Sequence, residues 1–140
     1  MSEPTYTLTL TATQLAVVQD ACELLSRIHI GQLEHVEEKL HGLPFETGLN
    51  LRDRLRALSP LVTGLRSEHA SRAANDKMLL RHEIAWGIYH AVRYRAYCDR
   101  FPEAGGRDMW TVQPRPPEPM GGQPVPEVMR LTPSAQGAPR

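Results

Sequence analysis

Nine of the twelve prolines in this 140-residue chain lie beyond residue 100, and that asymmetry limits the fold more than any other feature. Proline lacks a backbone N–H and its ring clashes with the preceding turn, so a segment this rich in it makes neither a regular helix nor a central strand. The core must come from about the first hundred residues, enough for one domain. We divide the chain into a helical domain with an N-terminal strand over 1–106, a Pro-rich extended arm over 107–131, and a disordered tail over 132–140. Met109, Trp110, Val112, Val125, Val128 and Met129 give the arm apolar anchors. It either pairs a short strand at 109–113 with the N-terminal strand or wraps a partner subunit.

The fold class expected for the first hundred residues is mainly α (α+β), with two long helices plus shorter ones. Tyr6, Leu8 and Leu10 alternate with Thr5, Thr7 and Thr9, a period of two that predicts a strand over 4–10. Thr11-x-x-Gln14 is a capping box that starts a helix near residue 12. Leu15, Val18, Cys22, Leu25, His29, Leu33, Val36 and Leu40 recur at spacings of three and four, predicting one helix to about residue 40, roughly 40 Å long at 1.5 Å per residue. Gly42 and Pro44 end it. Asn50 with Asp53 predicts a second cap, with a short helix on Leu51, Leu55 and Leu58, a break at Ser59-Pro60, and a further turn or two over 60–66. Asn75 caps a long helix over 75–100 with Met78, Ala85, Tyr89, Val92 and Ala96 on its core face, closed by Phe101-Pro102.

Sixteen basic residues balance sixteen acidic ones, so no global field draws nucleic acid or an anionic membrane. The basic run Arg52-Asp53-Arg54-Leu55-Arg56 is interrupted by acid and reads as a solvated helix face. Cys22 and Cys98 are lone cysteines at helical positions, which fits free thiols in a reducing compartment. No apolar run approaches the roughly 20 residues of a membrane span, and Met1-Ser2-Glu3-Pro4 lacks the pattern of a signal peptide, so a cytoplasmic protein is expected. Glu38-x-x-His41 has the spacing of half a di-metal site but no second pair accompanies it, so neither a metal nor another cofactor is expected.

Two groups of residues carry binding chemistry. On the last helix His82, Trp86, His90, Arg93 and Tyr97 fall in a sector of roughly 80° beside the core face. Aromatic faces stack on bases or guanidinium planes while arginine and histidine pair with phosphate, the chemistry of a nucleotide-sized anion site. The same residue types are enriched at subunit interfaces. In the first helix Arg27, His29, Gly31 and Gln32 interrupt an amphipathic run. Glycine costs a helix interior roughly 1 kcal/mol relative to alanine, and polar groups on an apolar face need hydrogen-bond partners. Arg27 and Gln32 suit an anion and a polar ring edge; Gly31 alternatively permits close approach of another helix, with His29 buried at the contact. The candidate ligand-binding set is Arg27, Gln32, Trp86, Tyr89, His90 and Arg93, with no catalytic residue.

The initial strand and Thr11-x-x-Gln14, Leu25-Ser26-Arg27-Ile28-x-x-Gly31-Gln32-Leu33-Glu34, Ile88-Tyr89-His90-Ala91-Val92-Arg93 and Pro124-Val125-Pro126-Glu127-Val128 together resemble a set of small phage and prophage proteins over about residues 5–130. Within that set the chain is similar to the first family of Thoeris anti-defence proteins, phage-encoded sponges that sequester signalling nucleotides. The resemblance implies a homo-oligomer, a dimer or a hexamer built from dimers, acting without turnover in the bacterial host cytoplasm. It implies cyclic ADP-ribose isomers as ligands, with cyclic oligonucleotides as second ligands at another interface. The competing expectation is a phage protein-interaction or host-takeover module without a small-molecule ligand.

Overall fold

A computed structural model describes residues 3–103 and 114–132. Its described part is mainly helical: α1 (Ala12–His29), α2 (His35–Glu38), α3 (Phe45–Ala57), α4 (Ser59–Thr63) and α5 (Asp76–Arg100). None of these helices is long and apolar enough to cross a membrane. The expected strand over 4–10 does not form. The segment takes no regular secondary structure and pairs with nothing among the described residues; its expected partner at 109–113 lies outside them, as does the tail from 133 onward.

α1 begins as its sequence predicts: Thr11 Oγ1 accepts from Gln14 N and Gln14 Oε1 accepts from Thr11 N, both halves of the capping box. It ends eleven residues before the expected residue 40. Gly31 adopts φ +79°, Gly31 N donates to Ile28 O at 3.0 Å, and Gln32 N donates to Arg27 O at 2.9 Å. Those two bonds are the Schellman closure, in which a left-handed residue satisfies the last carbonyls of a helix. The glycine that burdened a long helix therefore terminates a shorter one. His29, expected in the core, instead donates from Nδ1 to Leu25 O at 2.6 Å.

Beyond the bend, α2 carries Val36 on a new axis. α3 starts five residues before the expected cap at Asn50, directly after Pro44, which stands at the N-cap position. Asn50 lies inside the helix and accepts from Arg54 Nε at 2.7 Å. The chain breaks at Leu58, one residue before the expected break, and α4 takes Pro60 in its first turn, where proline's missing N–H costs no helical bond. Arg52 and Arg56 do not form a solvated face: Arg52 pairs with Glu38 and approaches Glu37 at 4.0 Å, and Arg56 lies 3.7 Å from Glu34, tying α3 to α2 and the residue before it.

α5 is capped by Asn75 Oδ1, which accepts from Met78 N at 2.9 Å. It runs antiparallel to α1: Ser26 meets His82 near one end, and Leu15 shares a cleft with Arg95 and Asp99 near the other. Ala85, Tyr89, Ala91 and Val92 are the buried apolar side chains of α5, whereas Met78 is half-buried and Ala96 exposed, contrary to expectation. On α1 the fully buried position is Ser26 rather than Leu25, so the helix is rotated from its apolar stripe to meet His82.

The arm over 114–132 lies along α5. It reverses at Gly121 and Gly122, both at positive φ, with Gln123 N donating to Met120 O at 3.1 Å. A Cβ on Gly121 would stand 2.8 Å from Ile84 Cγ1, so close approach to α5 also requires that glycine. Val125 and Val128 are half-buried anchors as expected, but Met129 is exposed.

Candidate functional site

The six candidate residues converge where the C-terminus of α1 meets the middle of α5. Trp86, Tyr89, His90 and Arg93 share one side of α5 because their spacings are three, one and three. The Trp86 ring centroid lies 5.0 Å from that of Tyr89 and 4.7 Å from that of His90, edge-on. Tyr89 and His90 stand 5.2 Å apart. From α1, the Arg27 guanidinium sits 5.3 Å above the Trp86 ring, a cation–π distance, and Arg93 sits 5.9 Å above Tyr89.

Gln32 reaches this group because of the bend at Gly31. On a continuous helix it would point about 140° away from Arg27. After the bend its Oε1 accepts from Arg27 Nη1 at 2.8 Å while its Nε2 donates to Ser71 Oγ at 3.0 Å. Ile30 O also accepts from Arg72 N at 3.0 Å, so the α4–α5 connection closes over the α1 terminus.

Several partners were not anticipated. Glu23 Oε1 accepts from both Nε and Nη2 of Arg27 at 3.1 Å, a forked pair one turn apart in the helix. That pair was readable from the i,i+4 spacing. His35 Nε2 stands 3.3 Å from Arg27 Nη1, and its Nδ1 lies 2.7 Å from Glu38 Oε2. Lys39 bridges Glu23 at 2.7 Å and Asp20 at 2.8 Å. Neither His35 nor Lys39 is legible as a partner in the sequence, because both arrive by way of the bend.

His82 supports the site from below. Its Nδ1 lies 3.0 Å from Ser26 O and 2.7 Å from Ser26 Oγ, so an Nδ1–H donates to the buried serine. Its ring stacks near Trp86, with centroids 6.3 Å apart and planes inclined by 20°.

The electrostatics distinguish the two arginines. Burial acts to raise the Glu23 carboxyl, but the hydrogen bonds from Lys39 and Arg27 outweigh it and hold the group below its ordinary range. Arg27 is thus compensated. Among the described residues no carboxylate pairs with Arg93. Burial, reinforced by the Arg93 charge, pushes His90 down, leaving a neutral imidazole beside an uncompensated cation. Tyr89 is buried and forms the floor of the group; Trp86, His90 and Arg93 are half-buried.

Both cysteines are free and half-buried, and burial pushes the Cys22 thiol up, away from nucleophilic reactivity. Among the described residues no group of three His, Cys, Asp or Glu side chains is placed to hold a metal ion. No protein-family model, curated protein or solved structure matches the chain.

Proposed function

We propose that this chain is a non-enzymatic phage anti-defence protein that binds and withholds a nucleotide-derived immune signal in the host cytoplasm, acting as a homo-oligomer. The observation that carries this reading is Arg93: an arginine without a carboxylate partner among the described residues, seated over Tyr89 beside Trp86 and His90. A cation next to aromatic faces suits a ligand that is both anionic and planar, such as a cyclic ADP-ribose isomer or a cyclic oligonucleotide. In this mechanism Arg93 and His90 take phosphate, Trp86 offers its ring to a base, and the Arg27–Gln32 pair reads a polar edge. Withholding needs affinity alone, about −8.2 kcal/mol for a micromolar dissociation constant.

A thermal-shift panel of cyclic nucleotides and ADP-ribose isomers tests the reading, since a ligand at 100 times its dissociation constant stabilises by about 2.7 kcal/mol. Stabilisation by at least one member is expected. Arg93→Ala should weaken that ligand by about ten- to a hundredfold, from the roughly 1.5–3 kcal/mol of a charged hydrogen bond. The ligand should be recovered intact on heating; a cleaved product would show turnover and sink the reading.

The second reading, a protein-interaction module, is favoured by the exposure of Phe45 and Leu61, 79% and 82% accessible on α3 and α4. No thermal shift with any nucleotide, together with a defined protein partner, would establish it in place of the first.

A further inference from the structure

The N-terminal segment has the composition of a strand and, among the described residues, no strand to pair with. Tyr6, Leu8 and Leu10 alternate with three threonines along the sequence, yet the backbone over 3–10 makes no ladder bond among the described residues. Tyr6 and Leu8 are 91% and 74% exposed. An unpaired edge of this kind is a template for another strand.

The arm supplies a second such edge. Residues 127–131 run past Thr7–Leu10 across a cleft of about 530 Å³, with Leu15, Arg95 and Asp99 also lining it. Neither extended segment bonds to the other. The cleft is apolar for most of its lining, with Leu8, Leu10, Val128, Met129 and Leu131 among the residues along it and Arg95 already paired with Asp99.

We propose that the occupant of this cleft is the N-terminal segment of a second copy of this chain. Antiparallel pairing of the two N-terminal segments about a twofold axis places each one between its partner and the partner's arm. The resulting order is arm, N-terminal strand of the partner, N-terminal strand, arm of the partner. Each copy's cleft is filled by the other's strand, and four strands form where each monomer leaves two unpaired edges. An isolated pair of strands is marginal in water, whereas four with an apolar face are not. A C2 arrangement is also what a self-complementary patch produces.

The area supports a stable dimer. Tyr6 removes about 200 Å² on burial, and Leu8, Met129 and Leu131 about 100 Å² each. Over two copies, with the strand backbones added, the total reaches the roughly 1,200 Å² of a standard interface. The twofold pairing needs no charge on the N-terminal strand, and residues 4–10 carry none.

The inference rests on the self-association proposed above, and the experiment separates the two. Sedimentation of the full chain over a concentration series is expected to show a dimer. Thr7→Pro removes a strand N–H at an exposed position and should raise the dimer dissociation constant at least tenfold with the helical circular dichroism unchanged. Leu8→Lys sets two like charges near the twofold axis and should do the same, deciding the matter if the proline variant does not fold. A dimer that survives both substitutions overturns the strand exchange while leaving self-association in place. A wild-type chain that stays monomeric across the series overturns both.

Discussion

Gly31 shows how much one residue decides here. It holds φ +79°, and a Cβ built there collides with Thr63 Cγ2 and comes within 3.4 Å of Ser59 O. The position therefore asks for glycine twice, once for its backbone and once for the approach of α4. Gly31→Ala should cost about 1–2 kcal/mol for the left-handed conformation and about 1–3 kcal/mol for overpacking. Thr63→Ser deletes only the colliding methyl and keeps Oγ1, which donates to Ser59 O at 3.1 Å and accepts from Leu65 N at 3.1 Å. In urea unfolding the double variant should lose less than the sum of the singles, by about 1–2 kcal/mol. Strict additivity would show that the collision relaxes freely and that φ alone makes the site glycine-specific. Close approach at Gly31 was legible from the sequence; that it closes a helix, rather than crossing one in mid-span, was not.

At the scale of elements, the α1–α5 hairpin is joined by a polar contact where an apolar one was expected. Ser26 is fully buried and among the described residues its side chain bonds to no side chain but His82, while Leu25 on the apolar stripe turns outward. Ser26→Ala leaves His82 Nδ1 its bond to Ser26 O and should cost about 1 kcal/mol or less. His82→Ala strands the buried hydroxyl and removes the ring beside Trp86, for an expected loss of about 2–3 kcal/mol and a changed near-ultraviolet dichroism. Equal losses for the two variants would mean that the hydroxyl, not the ring, holds the hairpin. The ends of these two helices were readable because Thr11 and Asn75 act through neighbours three residues away. The start of α3 was missed because Pro44 offers no side-chain acceptor, and Asn50 and Asp53 imitate a cap from inside the helix.

For the whole molecule, ionic contacts carry much of what apolar burial does not. Apart from glycines and Pro114, only four apolar residues are buried among the described ones, all on α5, whereas Lys39, Glu23 and Asp20 join the end of α2 to α1 and Arg52 and Glu38 join α3 to α2. Glu23 and Glu38 are held below their ordinary value of 4.5; in each, burial opposes the shift and hydrogen bonds to Lys39 or His35 prevail. Their stabilisation is present above that value and disappears as pH falls through the folded-state values. Lys39 is raised above 10.5 by Asp20 and Glu23 against burial, so its share is lost only as pH rises past its folded value. His90, depressed below 6.5 by burial and Arg93, makes protonation favour the unfolded chain and erodes stability below that pH. The melting temperature should be level between 6.5 and 9.0, fall gently below 6.5 and steeply below 4.5, and decline above 9.0 as the unfolded chain ionises the Cys22 thiol that burial keeps protonated in the fold. A melting temperature at pH 4 equal to that at neutrality would remove these contacts from any account of the fold.

Local chain chemistry specifies the helical class, the caps of α1 and α5, the exclusion of the proline-rich end from helix, and the α5 face bearing Trp86, Tyr89, His90 and Arg93. Each follows from interactions within one turn or from a period along one helix, and such interactions travel with the chain. Long-range packing sets the end of α1 at Gly31, the arrival of Gln32 and His35 at Arg27, the pairing of Arg52 with α2 and of Arg56 with Glu34 just before it, and the burial of Ser26 in place of Leu25. These depend on which elements meet across long separations, and a helix stripe of three-four spacing is the same whether the axis continues or turns. Gly31 is where the two kinds of information meet: its residue type permitted the turn, and Thr63 with the C-terminal carbonyls of α1 made the turn the lower-energy path.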